Sequence, residues 1–117
     1  MPDSYCPKRG DMVWLTFTPQ AGHEQAGHRP ALILSPEPYN KKVGLALVCP
    51  ITSHVKGYPF EVPIPQGLDI SGVVLADQVK SLDWKARRAR FCCAVPAATV
   101  TDVLRKVAPL LTESTIL

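Results

Sequence analysis

Long hydrophobic runs are missing from this chain. Its longest apolar stretch, Val43 to Ile51, is about half of what a membrane-spanning helix requires and is interrupted by Gly44 and Pro50, so no membrane span is expected. A strong excess of either charge is also missing: the net charge is +3, too small by itself to name a partner. Cysteine is sparse, and Cys6, Cys49 and the adjacent Cys92 and Cys93 form no C-x-x-C pair, which argues against a structural zinc site, a redox motif or a disulfide framework. Cys49 and one of Cys92 and Cys93 are expected to be small core residues in a reducing compartment. The opening "MPDSYCPKRGD" has neither the cationic start and apolar block nor the cleavage site of a secretory leader, which makes the cytoplasm the expected location. There is no internal repeat and no low-complexity segment, and 117 residues suit one domain spanning 1–117 better than two cores.

What is present points to β structure. Twelve prolines divide short β-branched runs, as in a small β-rich domain rather than a helical bundle. "DMVWLTF", 11–17, puts Val13, Leu15 and Phe17 on one side of a strand and Trp14 on the other. The long polar loop "TPQAGHEQAGH" follows, then the strand "PALILS". "SPEPYNKK" turns the chain with about one helical turn, and "VGLALVCPIT" is apolar on both sides, as a central strand would be. "GYPFEVPI" supplies another strand, with Phe60, Val62 and Ile64 alternating against Glu61. "GVVLADQVKSLDW" holds one or two more, bent near Ala76 to Gln78, and "ARFCCAV" the last. Val100, Val103, Leu104, Val107 and Leu111 then recur at helical spacing, predicting an amphipathic helix entered through Pro96 and kinked or lost at Pro109. The expected fold class is a mainly-β curled antiparallel sheet capped by one C-terminal helix.

Charge and chemistry gather at two strand ends. The segment "KSLDWKARRAR", 80–90, holds five bases and one acid, which concentrates the chain's positive excess there. In "EQAGHRPALILS", Pro30 forces Arg29 into extended geometry, so its side chain projects in a fixed direction while His28 points to the opposite face. In "CPITSHVKGYPFE" an apolar strand likewise stops, and Thr52, Ser53, His54 and Lys56 follow. If these strands are antiparallel neighbours, as consecutive strands usually are, Arg29 and Thr52 meet at one end of the sheet, with Glu24 over them. A guanidinium that matches two phosphate oxygens and a hydroxyl that donates to a third suit a phosphodiester. RNA carries its own nucleophile, the 2′-hydroxyl, so alignment, proton acceptance and charge neutralisation suffice without a metal or other cofactor.

The blocks "GDMVWLTFTP", "EQAGHRPALILSPEPYN", "CPITSHVKGYPFEV" and "VVLADQVKSLDW" resemble those of the MazF/PemK family, the toxin half of bacterial toxin–antitoxin pairs; the last third of the chain matches in kind rather than residue by residue. The resemblance implies an SH3-like β-barrel of the CcdB/PemK type, a homodimer, and a sequence-specific, metal-independent endoribonuclease that cuts single-stranded mRNA and so inhibits translation and growth. It further implies 2′,3′-cyclic phosphate and 5′-hydroxyl ends, an A-rich target triplet such as ACA, and catalytic residues at Arg29, Thr52 and Glu24. Arg29 is assigned to charge stabilisation, since a guanidinium is a poor proton shuttle, Glu24 to the base and Thr52 to a non-bridging oxygen. Unpaired bases are the natural target of stacking and edge contacts, and the aromatic pool near the loops is Trp14, Phe17, Tyr39, Tyr58 and Trp84. RNA contacts are expected from Trp14, Phe17, His28, Ser53, Lys56, Asp77, Gln78, Lys80 and Arg87. A cognate MazE-like antitoxin with an acidic, flexible tail is the expected inhibitor of a groove built for a polyanion.

Plainer roles compete for several of these residues. Trp14 and Trp84 suit a core or dimer interface better than a base platform, the Lys80 to Arg90 stretch suits a solvated edge, His23, His28 and His54 suit loop positions, and Asp77 and Gln78 suit a buried turn. Two other functions share the fold: a non-catalytic toxin that grips DNA gyrase, as CcdB-like relatives do through an aromatic C-terminal tail where this chain reads "TESTIL", and a plain nucleic-acid-binding barrel.

Overall fold

The computed structural model describes residues 4–17 and 27–112, without the Phe17 side chain. Among the described residues seven strands and two helices follow one another: β1 (Asp11–Phe17), β2 (Gly27–Ile33), α1 (Glu37–Val43), β3 (Ala46–Thr52), β4 (Glu61–Pro63), β5 (Val73–Leu75), a 3-10 turn (Ala76–Gln78), β6 (Lys80–Leu82), β7 (Arg90–Ala94) and α2 (Ala97–Leu111). All described pairings are antiparallel. The strands run β4-β5-β3-β2-β1-β7 across the sheet, and β6 pairs with the first half of β3 on the same edge that β5 takes at Ile51 and Thr52. The mainly-β class with a C-terminal helix is therefore the observed one, including the bend at Ala76 to Gln78.

Strand alternation explains why β1, β2 and β3 are apolar on both sides. Met12, Leu32, Cys49 and Ile51 enter a core completed by Val100, Val103 and Val107 of α2. Val13, Leu15, Ala31, Ile33 and Val48 enter a second, smaller core closed by Trp84. Alternate residues of the same strands thus feed opposite cores, and the exposed polar side chains of β2, His28 and Arg29, stand toward its first end. Burying apolar surface on both faces makes these three strands the frame of the molecule.

Trp84 takes the plain role. It is only 6% exposed, and its indole N–H donates to the carbonyl of Asn40 at 3.0 Å. Asn40, wholly buried, receives a hydrogen bond from Ser35 Oγ and donates to the carbonyls of Pro7 and Ser35. Gly44, at φ 82°, closes α1 in the left-handed conformation that glycine adopts without a Cβ clash. This buried polar network fixes the connection from β2 to β3, and with it their register.

Three sequence expectations need correction. The strand in "GYPFEVPI" shrinks to Glu61–Pro63, since Pro59 and Pro63 have no N–H to give a ladder, although Val62 and Ile64 are buried as expected. Helix α2 begins after Pro96 but continues through Pro109 to Leu111. Its Leu104 and Leu111 face outward, 37% and 72% exposed, and Thr99 is buried with Val100, Val103 and Val107 instead. Finally, both Cys92 and Cys93, not one of them, pack partly buried against the core under α2.

Candidate active site

The register of β2 on β3 decides where the polar strand ends lie. Ala31 pairs with Pro50, Leu32 with Cys49 and Ile33 with Val48. Continuing that register by two residues sets Arg29 opposite Thr52, and strand alternation puts both on the face shared by Ala31 and Pro50. Arg29 pairs with Leu15 of β1, so the guanidinium stands on backbone held by that strand.

Two adjoining cavities open there. The first, of about 320 Å³, has a floor of Leu15, Ala31, Val48 and Pro50 and carries Arg29, Lys80 and Gln78 at its walls. The second, of about 470 Å³, is lined by Thr52, His54, Lys56, Tyr58, Glu61, Leu75, Asp77 and Gln78. Gln78 lines both, and the two catalytic candidates therefore occupy neighbouring chambers rather than one pocket. The floor of the first is the outer margin of the Trp84 core, which makes it apolar beneath two cations.

The second chamber is organised by hydrogen bonds. Thr52 Oγ1 accepts the backbone N–H of His54 at 3.0 Å, so the hydroxyl proton is left to point toward a ligand. Glu61 accepts the backbone N–H groups of Lys56 and Gly57, both at 3.0 Å. Tyr58 donates its hydroxyl to Asp77 Oδ2 at 2.9 Å. That bond and the carboxylate's charge raise the Tyr58 pKa above the usual tyrosine range, which keeps Tyr58 a donor. The other Asp77 oxygen is buried with no hydrogen-bond partner among the described residues. Lys106 of α2 donates to the carbonyl of Pro59 at 2.6 Å and ties the loop to the helix.

One glycine holds Thr52 in place. Gly72 has φ 118°, and a Cβ added there would lie 2.2 Å from the carbonyl oxygen of Thr52. Only glycine permits β5 to come this close, and the backbone is in a region that side chains rarely adopt. Cys49, beneath the site, is chemically quiet: burial, then the charge of Asp77, pushes its thiol pKa up to about 12.

Of the residues expected to contact RNA, Lys56, Asp77, Gln78 and Lys80 line the two chambers alongside Arg29 and Thr52. Four do not. Trp14 packs against the core under α2 because its place in β1 is on that face. His28 points away from Arg29, with Nδ1 3.4 Å from Thr16 Oγ1. Ser53 is exposed beside Thr52 without lining either chamber. Arg87 lies in the turn after β6, where its carbonyl accepts the N–H of Thr16. Glu24, His23 and the Phe17 side chain lie outside the described residues. Sequence reasoning missed Glu61 and Gly72 as parts of the site and left Tyr58 in a pool of five aromatics. Gly72, just before the β-branched pair Val73 and Val74, was the one signal open to notice, as glycine beside a strand marks close backbone approach.

Among the described residues no cluster of three or more His, Cys, Asp or Glu side chains is placed to hold a metal ion, and no helix is long and apolar enough to cross a membrane. The sequence profile of the PemK-like, MazF-like toxins of type II toxin–antitoxin systems matches residues 8–111. The chain belongs to the MazF/PemK family. It is 54% identical, over 76% of its length and 79% of the relative's, to the endoribonuclease toxin MazF of Escherichia coli K12. It is 35% identical to the Escherichia coli endoribonuclease PemK over 90% of its own length and 82% of the relative's. Among solved structures, a MazE–MazF crystal structure from Deinococcus radiodurans superposes with a TM-score of 0.90 at 55% identity, covering 95% of this chain and all of that one. In this MazF/PemK chain the described part of "EQAGHRP", Gly27 to Pro30, opens β2, while "PIT" closes β3. Arg29 and Thr52 thus line neighbouring chambers that share Gln78.

Proposed function

We propose that this chain is an endoribonuclease toxin that cleaves single-stranded RNA by attack of the ribose 2′-hydroxyl on the adjacent phosphorus. In this reading the scissile phosphate sits at the junction of the two chambers. Arg29 binds two phosphate oxygens and neutralises the charge that builds on the pentacoordinate phosphorus. The Thr52 hydroxyl donates to a non-bridging oxygen, and Glu24 takes the 2′-hydroxyl proton. The bond from phosphorus to the 5′-oxygen breaks, leaving a 2′,3′-cyclic phosphate and a 5′-hydroxyl end. Alignment and charge stabilisation do the chemistry, so the reading calls for no metal.

The observation that supports it is the β2–β3 register, which when continued two residues past Ala31 and Pro50 sets Arg29 opposite Thr52, while the His54 N–H occupies a Thr52 lone pair and leaves the proton to donate. Lys56 and Lys80 flank the junction as phosphate ligands, one in each chamber, and Tyr58, 46% exposed, offers a ring for an unpaired base. In this reading the chain is a cytoplasmic homodimer of single-domain subunits, and a MazE-like antitoxin whose acidic tail follows the cationic groove is its inhibitor. The relative from Deinococcus radiodurans, solved as a MazE–MazF complex, supports that partner.

Incubation of the purified protein with a single-stranded RNA in EDTA tests the reading. Cleavage with 5′-hydroxyl and cyclic phosphate ends is expected. Binding without cleavage, or 5′-phosphate products, overturns it.

A further inference from the structure

The β1–β7 ladder contains an irregularity with chemical consequences. Asp11 pairs with Ala94 and Met12 with Cys93, but Val13 pairs with Phe91. Cys92 is therefore the extra residue of a β-bulge. In a regular strand, adjacent side chains point to opposite faces. Here the bulge turns Cys92 and Cys93 toward the same core, and their sulfurs stand 3.6 Å apart, one thiol donating to the other. Both remain partly exposed. Trp14, on the neighbouring strand, packs against the same core as the two cysteines.

This pair is badly placed for a disulfide, which needs Cα atoms at least about 4.4 Å apart where consecutive residues lie about 3.8 Å apart. It is well placed for a bridge. With bonds of about 2.3 Å, a thiolate-to-metal length, a single atom spanning sulfurs 3.6 Å apart subtends about 100°. A linear two-coordinate ion would need the sulfurs about 4.6 Å apart at that bond length. A tetrahedral ion would need further ligands, and no group of three or more His, Cys, Asp or Glu side chains offers them among the described residues. A pyramidal trivalent centre fits both the angle and the ligand count, with two sulfurs from the protein and one substituent of its own.

We infer that Cys92 and Cys93 form a dithiol site for trivalent arsenicals, built by the β-bulge and separate from the RNA-cleaving groove. The reaction is a condensation. Two S–H bonds break and two As–S bonds form, the oxygen of the arsenical leaves with both protons as water, and arsenic stays trivalent. Burial, then the hydrogen bond with Cys93, holds the Cys92 thiol above its usual range. Reagents that take one thiol at a time should therefore react slowly, while a chelating centre gains from the second sulfur. Among the described residues, the thiols of Cys6 and Cys49 contact backbone carbonyls rather than a second thiol, so neither is set to chelate.

Phenylarsine oxide is the probe, added to the full chain in excess monothiol and followed by intact mass and tryptophan emission. One adduct per chain is expected, stable to the monothiol, removed by a small dithiol, and accompanied by a change in emission from Trp14. Tryptic peptides of the loaded wild-type chain should place the adduct on the segment 91–105. Cys92→Ser and Cys93→Ser should each weaken binding by at least about 100-fold, the usual gain from a tethered second contact, whereas Cys6→Ser with Cys49→Ser should leave it intact. An adduct on another peptide, one that survives in either single variant, or no monothiol-resistant adduct on the wild type overturns the inference. The peptide assignment needs no variant to fold.

Discussion

The two chambers are built by opposite means. The Arg29 chamber is a rigid apolar floor with two cations at its rim, its shape set by close-packed strands. The Thr52 chamber is a loop held by polar contacts: Thr52 to His54, Glu61 to two backbone amides, Tyr58 to Asp77, Lys106 to Pro59. A charge placed by a packed sheet stays where it is when one neighbour changes. A hydroxyl at the end of β3, with its proton aimed by a bond from the loop that follows, depends on that loop's supports. The difference teaches that Arg29 should behave as an isolated functional group, and Thr52 as one member of a cooperative set.

The sharpest way to break this comparison is at the two residues themselves. Arg29→Ala should lower kcat by about 1,000-fold or more, and Arg29→Lys, which keeps charge but loses the fork, should stay low. Thr52→Ala should cost about 100-fold to 1,000-fold, with Thr52→Ser restoring most of it because serine supplies both the lone pair for His54 and the proton for phosphate. Single-turnover kinetics on variants with unchanged circular dichroism checks both; full activity in Arg29→Lys would refute the bidentate role.

Gly72→Ala probes the support of the Thr52 chamber from behind. A Cβ at that φ meets the Thr52 carbonyl, so the variant should lose about 1–3 kcal/mol of stability by denaturant titration and be cleavage-impaired under conditions where it is still folded. A smaller effect is expected at the two lysines. Lys80→Ala and Lys56→Ala should each weaken RNA binding several-fold and reduce the salt dependence by about one phosphate contact, read by titrating an uncleavable single strand at several salt concentrations.

The smallest effect separates the chambers by pH. The Tyr58 pKa is raised in the folded chain, so its hydrogen bond to Asp77 is fully present below about pH 10, the ordinary tyrosine value, and is lost only as pH rises through the raised value. The difference in phenolate absorbance between wild type and Tyr58→Phe should therefore titrate later than free tyrosine. An unshifted difference would mean that the Tyr58–Asp77 contact does not hold in solution.

Much of this architecture was legible in the sequence because the physics involved is local. The extended geometry before Pro30, the doubly apolar run in β3 and the entry to α2 at Pro96 all follow from residues next to one another. Adjacency of Arg29 and Thr52 required one further step, the pairing of consecutive strands. What was hidden depends on distant partners. Nothing near Trp14 says which of two cores its face of β1 will meet, and nothing near Gly72 names the Thr52 carbonyl above it. Leu104 and Leu111 share helical spacing with Val103 and Val107, yet the face that docks is the one that carries Thr99, Val100, Val103 and Val107 into the core below. Gln78 as the wall between two chambers could not be read at all, since it depends on how β5 and β6 divide one edge of β3.

That division of β3 between two cores has a kinetic meaning. Amide protons along β1, β2 and β3 should be the last in the molecule to exchange with solvent, because releasing them requires both hydrophobic layers to open together. Arg29 and Thr52 stand at the margin of this block, where β2 and β3 leave the doubly buried layers, so the backbone that aims the guanidinium should share the block's slow exchange.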